Sequence, residues 1–104
     1  MTEGGCSANE PFVLRVLGDS MEPEFTEGTV IVVEPGGVLE SGRFVVAAHD
    51  GGYVFRQLVI EGRRWFLRAL NPEYPVIDIA GADAIKGVVT QKAGRRRRDR
   101  KHYV

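Results

Sequence analysis

The chain is poor in the residues that staple or metallate small proteins. It has one cysteine, Cys6, among 104 residues, so neither an internal disulfide nor a thiolate metal cluster can form within it. Its two histidines, His49 and His102, are too few and too far apart for a zinc site, and no motif asks for a cofactor or a metal. Long apolar runs are missing too. The longest is Phe44-Val45-Val46-Ala47-Ala48, far short of the ~20 residues of a transmembrane helix. The first residues lack the basic start, apolar stretch and small-residue cleavage site of a secretory signal. These absences predict a soluble, cytoplasmic protein that does not engage a membrane.

Charge is balanced in total, 14 basic against 14 acidic residues, but not in place. Residues 95–104 hold six basic side chains (Arg95, Arg96, Arg97, Arg98, Arg100, Lys101) and one acid, Asp99, which leaves 8 basic and 13 acidic residues for 1–94. An acidic body therefore carries a basic tail. Such a tail can bind nucleic acid or an acidic partner by releasing counterions, without reading sequence. It can equally be a solvated end. Length predicts one domain, divided into a flexible arm over 1–10, a folded domain over 11–93 and a disordered tail over 94–104.

The apolar pattern is short and strand-like. β-Formers fill Phe12 to Leu17, and Thr29 to Glu34 is a β-branched run between Gly28 and Pro35-Gly36-Gly37. A run of this kind suits a central strand buried on both faces. Arg43 to His49 reads as a strand, Asp50-Gly51-Gly52 as a hairpin turn, and Tyr53 to Glu61 as the return strand. Further strands are expected at Arg64 to Leu70, Val76 to Ile79 and Ala84 to Lys92, the last with Gly87 as a bulge. Few stretches support a helix. The spacing predicts an all-β, twisted and partly closed antiparallel fold.

One segment stands out chemically. Gly18-Asp19-Ser20-Met21 lies between two strand patterns, where a tight turn presents a hydroxyl and backbone N–H groups together. A serine nucleophile with an oxyanion hole needs that arrangement. Four residues alone fit a structural serine just as well. The context narrows the choice: Gly18-Asp19-Ser20-Met21-Glu22-Pro23, Glu27-Gly28-Thr29-Val30-Ile31-Val32-Val33, Gly42 to Ala48, Asp50 to Leu58, Leu70 to Val76 and Ile85 to Val89 occur in this order. Together they resemble the catalytic domain of the LexA/UmuD-type serine–lysine peptidases, which include phage repressors and, more distantly, signal peptidase. The resemblance covers about residues 12–92.

That resemblance implies an all-β peptidase fold, a stress-response or phage setting, and a homodimer formed through the last strand, about residues 84–92. It places the nucleophile at Ser20, a site-lining side chain at Met21, and an oxyanion hole at the amides of Asp19 and Ser20. The general-base lysine falls in Phe55-Arg56-Gln57-Leu58, where Arg56 stands instead. The substitution matters because the base must lose a proton. Burial can lower a lysine pKa by several units, whereas guanidinium stays protonated in proteins. The expectation is a peptidase-like domain whose catalysis is lost or very slow.

Could another base serve? His49, at the end of the preceding strand, is the substitute. A two-residue Gly51-Gly52 turn sets it on the face of Arg56, about 7 Å along; a three-residue Asp50–Gly52 loop turns it to the opposite face. A surface histidine beside a turn is the plainer reading. The family's self-cleavage parts are also missing, since no Ala-Gly or Cys-Gly pair lies among the 19 residues before Ser20. Nor is there room there for a helix-turn-helix. Three functions remain open: a module that binds an extended peptide or protein in the Ser20 cleft, an active serine peptidase with a non-standard base, and an accessory protein that binds nucleic acid through its tail.

Overall fold

A computed structural model describes residues 10–93 and 101–103. Eight strands form one antiparallel sheet: β1 Phe12–Arg15, β2 Val30–Glu34, β3 Phe44–His49, β4 Gly52–Glu61, β5 Arg64–Arg68, β6 Ile77–Ile79, β7 Ile85–Ala93 and β8 Lys101–His102. Among the described residues the one helical turn is 3-10, at Ala82–Ala84. The strands run in the order β1-β2-β7-β3-β4-β5-β6, and β8 pairs with β7 off that path. The all-β antiparallel expectation holds. The sheet is not closed, because β1 and β6 end the path without pairing.

Packing uses both faces of the sheet. Alternate side chains of a strand point to opposite faces, and the buried residues divide accordingly. Val46 and Val89 join Val16, Met21, Phe25, Ile31 and Val33 in one cluster. Val45, Ala47 and Val88 join Leu58 and Leu67 in another. Two strands are thus buried on both faces: β3, whose Val45, Val46 and Ala47 are all buried, and β7, whose Gly87, Val88 and Val89 are. Thr29–Glu34, expected to be such a strand, is not: β2 alternates, with Ile31 and Val33 buried and Val30 and Val32 half-exposed. The reason is position. Beyond β2 lies only the exposed edge strand β1, whereas β3 sits mid-sheet between the two clusters.

Gly87 does mark a bulge. Val46 pairs with Gly87 but Ala47 with Ile85, so Lys86 is the extra residue. Gly87 is buried, and a Cβ there would collide with the side chain of Val33. This close approach seats β7 against β2.

Two expectations for the C-terminal part need correction. The strand assigned to a homodimer is interior: β7 pairs with β2 on one side and with β3 and β8 on the other. Its neighbours on both sides are strands of the same chain, so β7 is not the open edge that the expected route through the last strand requires. The described end of the expected disordered tail, residues 101–103, is folded onto the sheet. Lys101 and His102 form β8, the Tyr103 amide donates to the Thr90 carbonyl, and the Tyr103 ring packs beside Phe25 and Phe44 with centroids 5.4 and 5.3 Å apart. The arginines at 95–98 and 100 lie outside the described residues, as do residues 1–9.

Candidate functional site

Ser20 sits on the turn that follows β1. Gly18 adopts φ 78°, a left-handed conformation open to glycine without steric cost, and the chain reverses there. The Glu22 amide donates to the Asp19 carbonyl and the Phe25 amide to the Met21 carbonyl, which winds residues 19–25 into consecutive turns. Met21 and Phe25 are fully buried and anchor this segment in the core. Ser20 itself is only 9% exposed.

A second loop clamps the turn from outside. The Asn71 amide donates to the Ser20 carbonyl (2.9 Å), and Asn71 Nδ2 to the Asp19 carbonyl (3.2 Å). The Tyr74 hydroxyl donates to Asp19 Oδ1 at 2.6 Å. That bond to Asp19 pushes the Tyr74 pKa above its ordinary value, with burial adding to the effect. Pro72 and Pro75 flank this contact and restrict the loop backbone. Asn71 and Tyr74 were not foreseen as site residues, since their role depends on partners more than 50 positions away.

Arg56 reaches Ser20 from β4. Its Nη1 donates to Ser20 Oγ at 3.1 Å and to its neighbour's carbonyl, Phe55 O, at 2.9 Å. The guanidinium carbon lies 5.5 Å from the centre of the Tyr74 ring, within cation–π range. Nε is buried without a hydrogen-bond partner. Burial lowers the Arg56 pKa from its ordinary value, opposed in part by Tyr74. No carboxylate forms an ion pair with Arg56 among the described residues.

The direction of the Arg56–Ser20 bond decides what the pair can do. Guanidinium has donors and no acceptor, so the serine oxygen accepts. A general base must do the reverse and take the serine proton.

His49 does not join this pair. It pairs with Gly52, so the hairpin loop is Asp50-Gly51, with φ of 53° and 82°. Both residues are left-handed, as a type I′ turn requires. Neither expected turn forms. In the observed register Val45 opposes Arg56. His49 is therefore four residues, or roughly 13 Å, further along β3. It is exposed in a separate surface hollow with Tyr53 and Lys86.

Ser20 and Arg56 open into a cleft of about 300 Å³ between β1 and the start of β4. Leu14 and Leu17 line one wall, Tyr53 and Val54 the other, with Tyr74 at the rim. Leu17 and Tyr53 are 78% and 72% exposed, so the mouth of the cleft is apolar and open to solvent. Among the described residues neither the Asp19 nor the Ser20 amide donates to a protein acceptor. No group of three or more metal-ligating side chains is assembled among the described residues. No helix among them is long and apolar enough to cross a membrane.

On the far side of the turn, Glu24 gathers the C-terminal residues. Its Oε2 accepts from Lys101 Nζ (2.9 Å) and from the Tyr103 hydroxyl, and Lys92 Nζ lies 3.3 Å away. Lys92 also donates to the Glu24 carbonyl. Burial alone would raise the Glu24 pKa, but the bonds from Tyr103, Lys101 and Lys92 outweigh it and hold the value at about 2. Burial and the bond to Glu24 push the Tyr103 hydroxyl well above its ordinary range. Lys101, expected in a nucleic-acid-binding tail, is thus engaged by an internal acid.

Comparison with known proteins agrees with this architecture. Residues 4–90 match the family described as Peptidase S24-like. The HTH-type transcriptional regulator for conjugative element SXT of Vibrio cholerae is 48% identical over 87 residues, 77% of this chain and 40% of the regulator. The prophage repressor CohE of Escherichia coli is 40% identical over 82 residues, 75% of this chain and 37% of the repressor. A LexA repressor of Verrucomicrobium spinosum is 32% identical over 89 residues, 85% of this chain and 44% of that protein. The chain spans about two fifths of the length of these relatives. With its fold, its Ser20 turn and a family match over most of its length, the chain belongs to the Peptidase S24-like family.

Proposed function

We propose that this chain is a peptide-recognition module built on a peptidase fold whose hydrolytic step is impaired. In this reading Ser20 occupies the nucleophile position, the Asp19 and Ser20 amides the oxyanion hole, and Met21 the floor beneath them. Acyl transfer requires Ser20 Oγ to bond to the carbonyl carbon while its proton passes to a base and then to the departing amine. Arg56 accepts no proton. The observation that carries the reading is its bond to Ser20, in which the serine oxygen receives an N–H.

An extended peptide fits the cleft as an added strand. Among the described residues β1 is an edge of the sheet, paired on one side only, with β2, and edge strands pair readily with incoming chains. The exposed Leu14 and Leu17 would meet apolar side chains of that peptide. The relatives' names speak of transcriptional regulators and repressors, and we infer that a module of this kind serves regulation rather than digestion.

Arg56→Lys tests the reading. Lysine in the same half-buried place has a lowered pKa and can be deprotonated. The variant is expected to gain peptide cleavage that wild type lacks, by a factor on the order of 10²–10⁴. The rate should rise with pH as the ammonium loses its proton, and Ser20→Ala in the same background should abolish it. Ser20-dependent cleavage by the wild type would overturn the impaired-enzyme reading.

A further inference from the structure

The cleft holds a cation that no described residue neutralises. Arg56 is half-buried, it hydrogen-bonds only to a hydroxyl and a carbonyl, and no described carboxylate pairs with it. The contrast with the other half-buried bases is direct: Arg43 lies 2.8 Å and Lys92 3.3 Å from carboxylates of the same chain. A partly desolvated charge without a counter-ion is costly, and an anionic ligand would offset that cost. Only Nη1 of Arg56 bonds to the described residues, which leaves Nη2 for a ligand. The Ser20 hydroxyl can donate as well as accept. The unengaged amides of Asp19 and Ser20 are adjacent donors on one turn, and such backbone pairs suit an anion. Around these donors the walls are apolar and strand-shaped (Leu14, Leu17, Tyr53, Val54).

Given peptide recognition in this cleft, we propose that its ligand is a peptide ending in a free carboxylate. The terminal carboxylate sits against Ser20 and Arg56, and the preceding residues lie extended along β1. Carboxylate matches the donor set because its two oxygens can accept from Arg56 Nη2 and from the hydroxyl and amides of the Ser20 turn together. Backbone-rich sites capture chain termini in this way elsewhere. A neutral lysine at position 56 would offer no fixed charge for a stable anion. The replacement by arginine therefore changes the preferred occupant from a carbonyl about to be attacked to a carboxylate already formed.

The test uses two combinatorial libraries of N-acetylated hexapeptides, matched in sequence, one with free acids and the other with C-terminal carboxamides. Each is passed over immobilised full-length protein, and retained peptides are quantified by mass spectrometry. Retention of the acids should exceed that of the amides about tenfold or more, the scale of a charge-assisted hydrogen bond. Arg56→Gln should bring the ratio close to one, while Arg56→Lys, assayed at mildly acidic pH where its ammonium stays protonated and cannot act as a base, should hold it well above one. A melting curve checks that each variant is folded, and the Lys variant keeps the test valid should Gln not fold. Equal retention of acids and amides would overturn the carboxylate inference and leave peptide recognition standing. Enrichment of internal Asp or Glu in the amide library would also overturn it, in favour of a side-chain acid. Retention of neither library above a Leu14→Asp, Leu17→Asp double variant would overturn peptide recognition itself.

Discussion

Two places in this molecule set basic side chains against oxygen. At Glu24, two lysines and a tyrosine hydroxyl converge on one carboxylate. At Ser20, a guanidinium meets a neutral hydroxyl. The first cluster carries its own counter-ion: the ionised acid lies against both lysines. The second has none among the described residues, and it faces an apolar cleft rather than a covered core. A cluster with a counter-ion holds a fold together. A cation without one, left partly desolvated, is where a ligand has something to contribute. The two regions lie on one short segment, Ser20 to Phe25, so the same turns that seat the cleft also receive the C-terminal strand.

Removing what the regions share should have the largest effect. The Phe25 ring packs edge-on against Phe44 and Phe55 at 4.9 and 4.8 Å, and Lys92 Nζ lies 5.3 Å from its centre. Phe25→Ala is expected to cost about 3–5 kcal/mol, read as a lower urea midpoint, and to disturb cleft and cluster together. A loss below about 1 kcal/mol would mean that neighbouring aromatics close the gap.

Next comes Glu24→Gln, which breaks one region and should spare the other. The Glu24 pKa is about 2 folded against 4.5 for the free side chain. A depressed carboxylate pKa adds stability that is complete above the unfolded value and is lost as pH falls through the folded one. The contribution should therefore fade between about pH 4.5 and 2. Glu24 is 27% exposed, so solvent screening trims the effect to about 1–3 kcal/mol. Thermal melting across that window should fall in wild type and flatten in Glu24→Gln. A wild-type curve with no acid limb would show that the cluster contributes nothing net.

Tyr74→Phe should have the smallest effect. It removes the hydroxyl bonded to Asp19 but keeps the ring beside Arg56 and the backbone link from Asn71 to Ser20. The melting temperature should not change measurably. A clear drop would show that a single exposed hydrogen bond, rather than the backbone clamp, seats the Ser20 turn.

Much of this was legible beforehand. β-Branched and aromatic runs bounded by glycine and proline marked the strands, because those side chains suit a pleated, half-buried surface. Ser20 stood out in its turn, Arg56 was marked only by the family resemblance, and the structure brings them to 3.1 Å. The hairpin register was missed, although Asp50-Gly51 carries the strongest short signal for a two-residue loop. That slip matters, since a shift of register moves His49 along and across the sheet. The pairing of Glu24 with Lys101 and Tyr103 had no local signal at all. It joins residues 77 and 79 positions apart, and the arginine-rich composition between them pointed to a solvated tail.

The sequence by itself determined the material of this protein: short strands, a turn presenting Ser20, and at position 56 a side chain that cannot take up a proton. Those are properties of residue types and of neighbours within a few positions. The tertiary structure alone decided which strands are buried on both faces, that β7 is interior, that His49 stands apart, and which cation keeps a counter-ion. Each of these depends on contacts between distant segments, where register, burial and charge balance are set by the packing of the whole sheet rather than by any local preference.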